Sequence, residues 1–306
     1  VRAVVFAYHE IGYVCLEEVV DFGVEVQCLF THEDDPGEEI WFRRPAALAE
    51  AKGIPVYTPK RIKDSAWIEK VRALAPDIVF SFYYRNIIPR DILDVPRIGA
   101  FNLHGSLLPK FRGRCPVNWV LIEGEDRTGV TLHVMEEKAD TGDIVAQRAI
   151  DIAFHDTARS LFLKMVREAQ LLMRDVLPQF RSGTFMRTPQ SGPFSYFGGR
   201  RPEDGLISWE KDAQSIYNLA RATTHPYPGA FSYLDGKKLH LWETLPEERI
   251  LPDPPGTVVC EKPLAVNTGR GVLQLLHVQL EGEREMSGEA FAATHDVKNR
   301  RLGGRP

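Results

Sequence analysis

At 306 residues, with 38 Lys and Arg against 42 Asp and Glu, the chain carries a net charge of −4 and is 43% hydrophobic. This is the composition of an ordinary globular protein long enough for two domains, and it speaks against the broad basic face that general nucleic-acid binding needs. No apolar run approaches the ~20 residues of a membrane span, and residues 1–10 are too short and too soon charged for a signal peptide.

Cys15, Cys28, Cys115 and Cys260 are scattered, with no C-x-x-C pair. Four free thiols suit a reducing cytosol better than a disulfide scaffold or a cysteine-rich zinc site. Charge is uneven: residues 1–40 hold ten acids and one base, with five of the acids in the Pro/Gly-containing loop 32–39. The C-terminus reverses sign at Lys298, Arg300, Arg301 and Arg305, which reads as a solvated tail.

In chain order, residues 3–7 predict a buried strand, followed by an amphipathic helix to about Asp21 and a second strand at 24–30. A helix at 45–51, a short strand around Val56, a helix at 67–73 and strands at 77–82 and 99–103 follow. Short strands alternating with helices predict βαβ units and a doubly wound, mostly parallel sheet. Two more strands are expected at 128–135 and 144–152, partly antiparallel. A long helix is expected at 156–177, capped by Asp156 or Thr157 and stopped by Pro178. Leu161, Met165, Leu172 and Val176 form its core stripe. Composition turns Gly/Pro-rich at 191–205. Beyond a helix at 213–221, short strands at 230–233, 238–242, 257–260 and 272–278 predict a small β-barrel. These patterns set a domain boundary after residue 200, giving domains at 1–200 and 201–306.

The usual nucleotide and zinc signatures are missing: no G-x-x-x-x-G-K-[ST], no G-x-G-x-x-G after the first strand, no H-E-x-x-H. A doubly wound sheet still offers a crevice at the carboxyl ends of its strands. There Asn102 and His104 stand two apart, so strand geometry points both the same way. An amide beside an imidazole suits acyl transfer, one donating to an oxyanion and the other moving a proton. Asn and His at a strand end are also common turn and cap residues, so a third member matters. Asp140, in the turn A-D-T-G-D, is a carboxylate able to orient His104 and raise its pKa by stabilising imidazolium. Lys110, Arg112 and Arg114 follow on a Gly/Pro-rich loop suited to an anionic ligand. His133 reads as a core residue of its strand, His225-Pro-Tyr-Pro-Gly229 as a rigid turn, and His9 as a candidate to line the crevice. Nothing in this chemistry requires the thiol of Cys115.

N-L-H-G-S-L-L-P-K-F-R-G at 102–113, followed by A-D-T-G-D-I-V at 139–145, resembles the folate-dependent formyltransferase superfamily. Segments 4–9, 30–32, 53–57, 80–85, 116–124 and 226–233 are similar to formyltransferase domains of the ArnA type, which formylate UDP-4-amino-4-deoxy-L-arabinose for lipid A modification and polymyxin resistance. The resemblance covers nearly the whole chain, weakening beyond about Thr244, and does not include the second enzymatic domain that accompanies ArnA-type domains. It implies a Rossmann-like catalytic domain with a smaller, OB-like C-terminal barrel, Asn102, His104 and Asp140 as the catalytic set, and 10-formyltetrahydrofolate as cosubstrate, with no metal. It further implies cofactor contacts at Asn86, Ile87, Ile88 and Arg114, and along Glu136, Glu137, Lys138, Ala139 and Asp140. The implied acceptor is a small nucleotide-linked amino sugar in the cytoplasm, with no nucleic-acid partner and no membrane insertion. The alternative is methionyl-tRNA formyltransferase. Acid at 33–39, where that relative carries a basic insertion, ranks it lower because a phosphate backbone needs neutralising cations. Transfer of formyl to water, or folate binding without turnover, are further alternatives.

Overall fold

A computed structural model describes residues 1–35, 37 and 40–303. Glu38 and Glu39 of the acidic loop, with Pro36, and Arg305 of the basic tail lie outside the described residues. The chain divides into two compact units. The first comprises Val1–Pro116, Arg127–Asp151 and Phe162–Phe197; the second takes Val117–Asp126, Ile152–Leu161 and everything from Gly198 onward. The second unit thus draws two short segments from the region that the sequence assigns to the first domain.

The first unit opens with β1 (Arg2–Ala7), α1 (His9–Asp21), β2 (Glu25–Phe30), α2 (Pro45–Ala51), β3 (Val56–Tyr57) and α3 (Ser65–Leu74). Then come β4 (Ile78–Phe82), α4 (Arg90–Leu93), β5 (Gly99–His104) and β6 (Arg112–Gly113). After α5 (Pro116–Ile122), nearly all of which belongs to the second unit, follow β7 (Arg127–Val134), β8 (Ile144–Asp151), α6 (Ala158–Ser182), whose first turn also belongs to the second unit, and β9 (Tyr196–Phe197). Seven strands form one sheet in the order β3-β2-β1-β4-β5-β7-β8. β1 to β5 pair parallel, whereas β7 and β8 run antiparallel at one edge. The α/β expectation is met, with a parallel-dominated sheet. Val4, Phe6, Val79 and Phe80 are fully buried, as strands covered on both faces by helices require.

One expectation fails. α6 does not stop at Pro178 but continues to Ser182 with the proline inside it. Its next apolar residue explains why: Phe180 is buried against Phe80, Phe101 and Phe185. Burying an aromatic ring is worth about 1.5–3 kcal/mol, comparable to the ~3 kcal/mol proline penalty. The N-cap reading holds at Thr157, whose Oγ1 accepts the Ser160 N–H at 3.2 Å.

The second unit holds α7 (Ala213–Thr223), β10 (Ala230–Leu234), β11 (Lys237–Glu247), β12 (Val258–Glu261), β13 (Leu264–Asn267), β14 (Val272–Leu280), β15 (Met286–Ser287) and α8 (Gly288–Thr294). β13 was not anticipated, because Leu264–Asn267 is short and follows β12 after a two-residue turn. The strands form one antiparallel sheet in the order β10-β11-β14-β13-β12, with β15 on β14. Its core combines Ile216, Tyr217 and Ala220 of α7 with Leu239, Leu241, Val266, Leu273 and Phe291. Among the described residues no helix is long and apolar enough to cross a membrane.

Candidate active site

The site is assembled by strand register. On β5, Asn102 lies opposite Ser81 of β4 and His133 of β7, and His104 lies opposite Thr131. Period-2 geometry turns Asn102 and His104 to one face, and directly paired residues share that face. His133 therefore joins them: its Nε2 lies 3.2 Å from Asn102 Nδ2. Its Nδ1 is 2.8 Å from the Val134 carbonyl, so Nδ1 carries the proton and Nε2 accepts from the Asn102 amide. The core reading of His133 is correct as to burial, at 1% exposed. What the sequence missed is that the same ring touches two of the three expected catalytic side chains.

Beyond β5 the chain is folded back on itself. Thr131 Oγ1 donates to the Ser106 carbonyl at 2.6 Å and accepts the Leu108 N–H at 3.2 Å. Ser106 Oγ donates to the Lys110 carbonyl at 2.7 Å. Phe111 then adopts φ 58°, a left-handed conformation that costs a bulky residue energy. The turn aims its carbonyl at His104 Nε2, 2.7 Å away. A carbonyl only accepts, so Nε2 bears the proton and Nδ1 is left with the lone pair.

Asp140 also sits at positive φ, 59°, which a short polar side chain tolerates. Its Oδ2 accepts the Gly113 N–H at 2.8 Å, while Oδ1 stands 3.6 Å from His104 Nδ1 and 3.4 Å from His133 Nε2. Gly113 is required there: at φ 97°, a Cβ would lie 2.1 Å from the Phe197 carbonyl.

These distances correct one expectation and refine another. Asp140 was expected to orient the His104 ring, but the hydrogen bond that fixes the tautomer comes from Phe111. Asp140 does pull the pKa of His104 upward, as expected, but it does not prevail. Burial is the larger effect, and it holds the imidazole below its ordinary value although Asp140 and the Phe111 carbonyl pull upward. His104 is accordingly neutral near pH 7. For Asp140, burial alone favours the protonated acid, but the carboxylate's attraction to the imidazolium form of His104, with contributions from the His133 ring and the Gly113 N–H, outweighs burial and keeps the carboxyl well below the usual carboxylate range. A charged carboxylate thus faces the unprotonated nitrogen of a neutral imidazole.

The segments expected to hold a cofactor lie side by side. Asn86 and Ile87 are exposed, Ile87 at 72%, whereas Ile88 is buried in the same apolar cluster against which Met135 packs. Glu136, Glu137 and Lys138 are exposed, and Ala139 is half-buried. Arg90 Nη1 pairs with Glu137 Oε2 at 4.0 Å, bringing the two segments together. Arg114 is exposed. Of the three loop cations, Arg112 is already engaged, its guanidinium donating to Gln190 Oε1 at 3.2 and 2.7 Å.

His9 lies at the end of β1 among aromatic rings, stacked on Phe42 at 3.7 Å. Burial, then the Arg85 charge, lowers its pKa from 6.5 to about 3. The unfolded chain takes up this proton near pH 6.5 and the folded chain does not until about 3. The stability from a neutral His9 is therefore complete above 6.5 and is lost progressively as pH falls toward 3. His9→Phe should flatten the fall of Tm between pH 7 and 4 in thermal scans; an unchanged slope would refute this. His225 is exposed, stacks on Trp242 at 3.8 Å and pairs with Glu285 at 3.0 Å.

The profile of the formyl transferase family matches residues 13–177, and that of the formyl transferase C-terminal domain matches residues 200–296. Solved structures share the fold at low identity. The N-formyltransferase from Helicobacter canadensis, in complex with folinic acid and dTDP-3-aminofucose, aligns at TM-score 0.69 and 19% identity, covering 89% of this chain and 98% of that one. HypX from Aquifex aeolicus in complex with tetrahydrofolic acid aligns at TM-score 0.61 and 20% identity over 95% of this chain. The present chain spans only about half of HypX, 46% of its length. Methionyl-tRNA formyltransferase from Clostridium thermocellum aligns at TM-score 0.54 and 19% identity, covering 80% and 92% of the two chains. With both family profiles matched in order, and the Asp140 carboxylate, Asn102 amide and two imidazoles gathered in the first of them, the chain belongs to the formyl transferase family.

Proposed function

We propose that this protein transfers the formyl group of 10-formyltetrahydrofolate to the amine of a nucleotide-linked amino sugar. The observation that carries the reading is the convergence of Asn102, His104 and Asp140, with the carboxylate charged and the imidazole neutral. The substrate's neutral amine attacks the formyl carbon. The Asn102 amide, one N–H engaged by His133, has a second N–H for the developing oxyanion. With Nε2–H committed to Phe111, His104 Nδ1 is the atom that takes up the amine's proton, and the Asp140 carboxylate stabilises the imidazolium so formed. The same nitrogen then returns a proton toward the departing folate nitrogen.

The adjoining segments Asn86–Ile88 and Glu136–Asp140, with Arg114, form the cofactor side on this reading. The Arg90–Glu137 pair supports their acting together. A relative of the same fold holds folinic acid and dTDP-3-aminofucose, which supports the substrate classes. On this reading residues 1–200 carry the chemistry, residues 201–306 form a separate domain, and the reaction is cytoplasmic. The motif likeness favours UDP-4-amino-4-deoxy-L-arabinose as acceptor, hence lipid A modification. Transfer RNA is less favoured, because Glu33, Asp34 and Asp35 put negative charge where a phosphate backbone needs cations. The test is incubation with 10-formyltetrahydrofolate and a panel of amino-sugar nucleotides plus methionyl-tRNA, following tetrahydrofolate release. Amino-sugar nucleotides should be formylated and methionyl-tRNA should not. Preference for the tRNA, or formate release without any acceptor, would overturn the assignment.

A further inference from the structure

The segment between α6 and β9 belongs to no motif, yet it grips both loops of the site. Gln190 is its centre. Its Nε2 donates to the carbonyls of Asp140 at 2.9 Å and Gly142 at 2.8 Å, and its Oε1 accepts the two Arg112 N–H groups. All the bonding capacity of the carboxamide is thus directed at two loops far apart in sequence. Five residues on, Ser195 Oγ accepts the Phe111 N–H at 2.9 Å, and the Ser195 carbonyl accepts the Arg112 N–H at 3.0 Å. Phe197 stacks on Phe111 at 5.2 Å.

We infer that Gln190 is a positioning residue for formyl transfer, locking the Asp140 turn to the Phe111–Gly113 loop so that His104 is held between its carbonyl and its carboxylate. The inference rests on the assignment of His104 and Asp140 to that reaction. The physical case is one of strain and precision. Phe111 occupies a left-handed conformation that a bulky residue does not favour, and such conformations persist only where surrounding structure over-determines them. Gln190 ties down the carbonyl of Asp140 and the side chain of Arg112 next to Phe111, while Ser195 and Phe197 fix Phe111 itself. A misplacement of about 1 Å at a reacting group can cost on the order of 100-fold in rate. The Asp140–His104 separation, 3.6 Å, has no direct hydrogen bond to maintain it.

Two variants separate this role from simple packing. Gln190→Met keeps the length of the side chain and removes every hydrogen bond. Gln190→Glu keeps acceptors for Arg112 but loses both donors and sets a carboxylate against two carbonyls. Both should lower kcat about 10- to 100-fold with KM for cofactor and acceptor changed by less than about threefold. Both should also alter the imidazole N–H resonance of His104 in nitrogen-15 histidine spectra, a signature that a generally structural side chain leaves alone. Thermal melts report whether each variant is folded, and the isosteric Gln190→Glu carries the test if Gln190→Met is not. Folded variants with kcat within about twofold of wild type and an unmoved His104 resonance would overturn the inference. If wild-type protein itself transfers no formyl group, the functional reading fails instead, and the resonance still reports on the positioning.

Discussion

Asn102→Ala should lower kcat by about 10²–10³-fold, the usual cost of one oxyanion donor, while leaving KM for both substrates little changed. The amide is half-buried on a strand end, with one N–H held by His133 Nε2 at 3.2 Å, so its geometry is set before substrate arrives. An interaction made only with the developing oxyanion contributes to the transition state and not to binding, which is why the loss appears in kcat. Truncation removes no core contact and should leave the melting temperature near that of wild type. Tetrahydrofolate release under saturating substrates is the measurement. Turnover within about threefold of wild type would remove Asn102 from the mechanism. His133→Ala provides a companion: it frees the amide to rotate without deleting it, and a smaller loss than Asn102→Ala is expected.

Asp140→Asn should reduce the plateau rate by about 10²–10⁴-fold and shift the acidic limb of the pH profile to lower pH. His104 must be unprotonated at Nδ1 to accept the amine's proton, so the rate falls as pH drops through its pKa. Burial already keeps that pKa below the ordinary value, and Asp140 is the chief influence opposing burial. Removing the charge leaves burial less opposed and lowers the pKa further, hence the direction of the shift. The plateau falls because the imidazolium formed during transfer loses its counter-charge. Protonation of the acceptor amine also shapes the profile, but it is common to both proteins and cancels when the two are compared. A limb that moves upward, or a plateau that does not fall, would show that Asp140 serves only to hold Gly113 in place.

The order of strands and helices in the first unit was legible because burial leaves a pattern in the chain. Strands sandwiched between helices read as short apolar runs, and the amphipathic helices between them read at their own period. That Asn102 and His104 share a face was legible for the same reason, since two residues at i and i+2 on a strand share a side whatever the rest of the fold does. Asp140 was identifiable only through the motif that contains it. No rule of spacing says that a turn 36 residues after His104 returns to it.

What escaped is what depends on pairing between distant segments. His133 looked like a core residue because burial and a strand pattern are all that its neighbours in sequence display, and only the register of β7 on β5 sets it against Asn102. Pro178 looked like a stop because local propensity disfavours it, and the outcome turned on the pocket that receives Phe180. The tautomer of His104 rests on a backbone carbonyl, which carries no identity in a sequence at all. Gln190 is of the same kind: one amide among many until the chain folds it between two loops. By itself, then, the sequence determined the layered architecture and the residue types of the chemistry, since both are written in local periodicity and motif. Only the tertiary structure decided which nitrogen of His104 is free, that its pKa lies low rather than high, and what holds the site rigid. Those properties arise from desolvation and from hydrogen bonds between residues far apart in the chain.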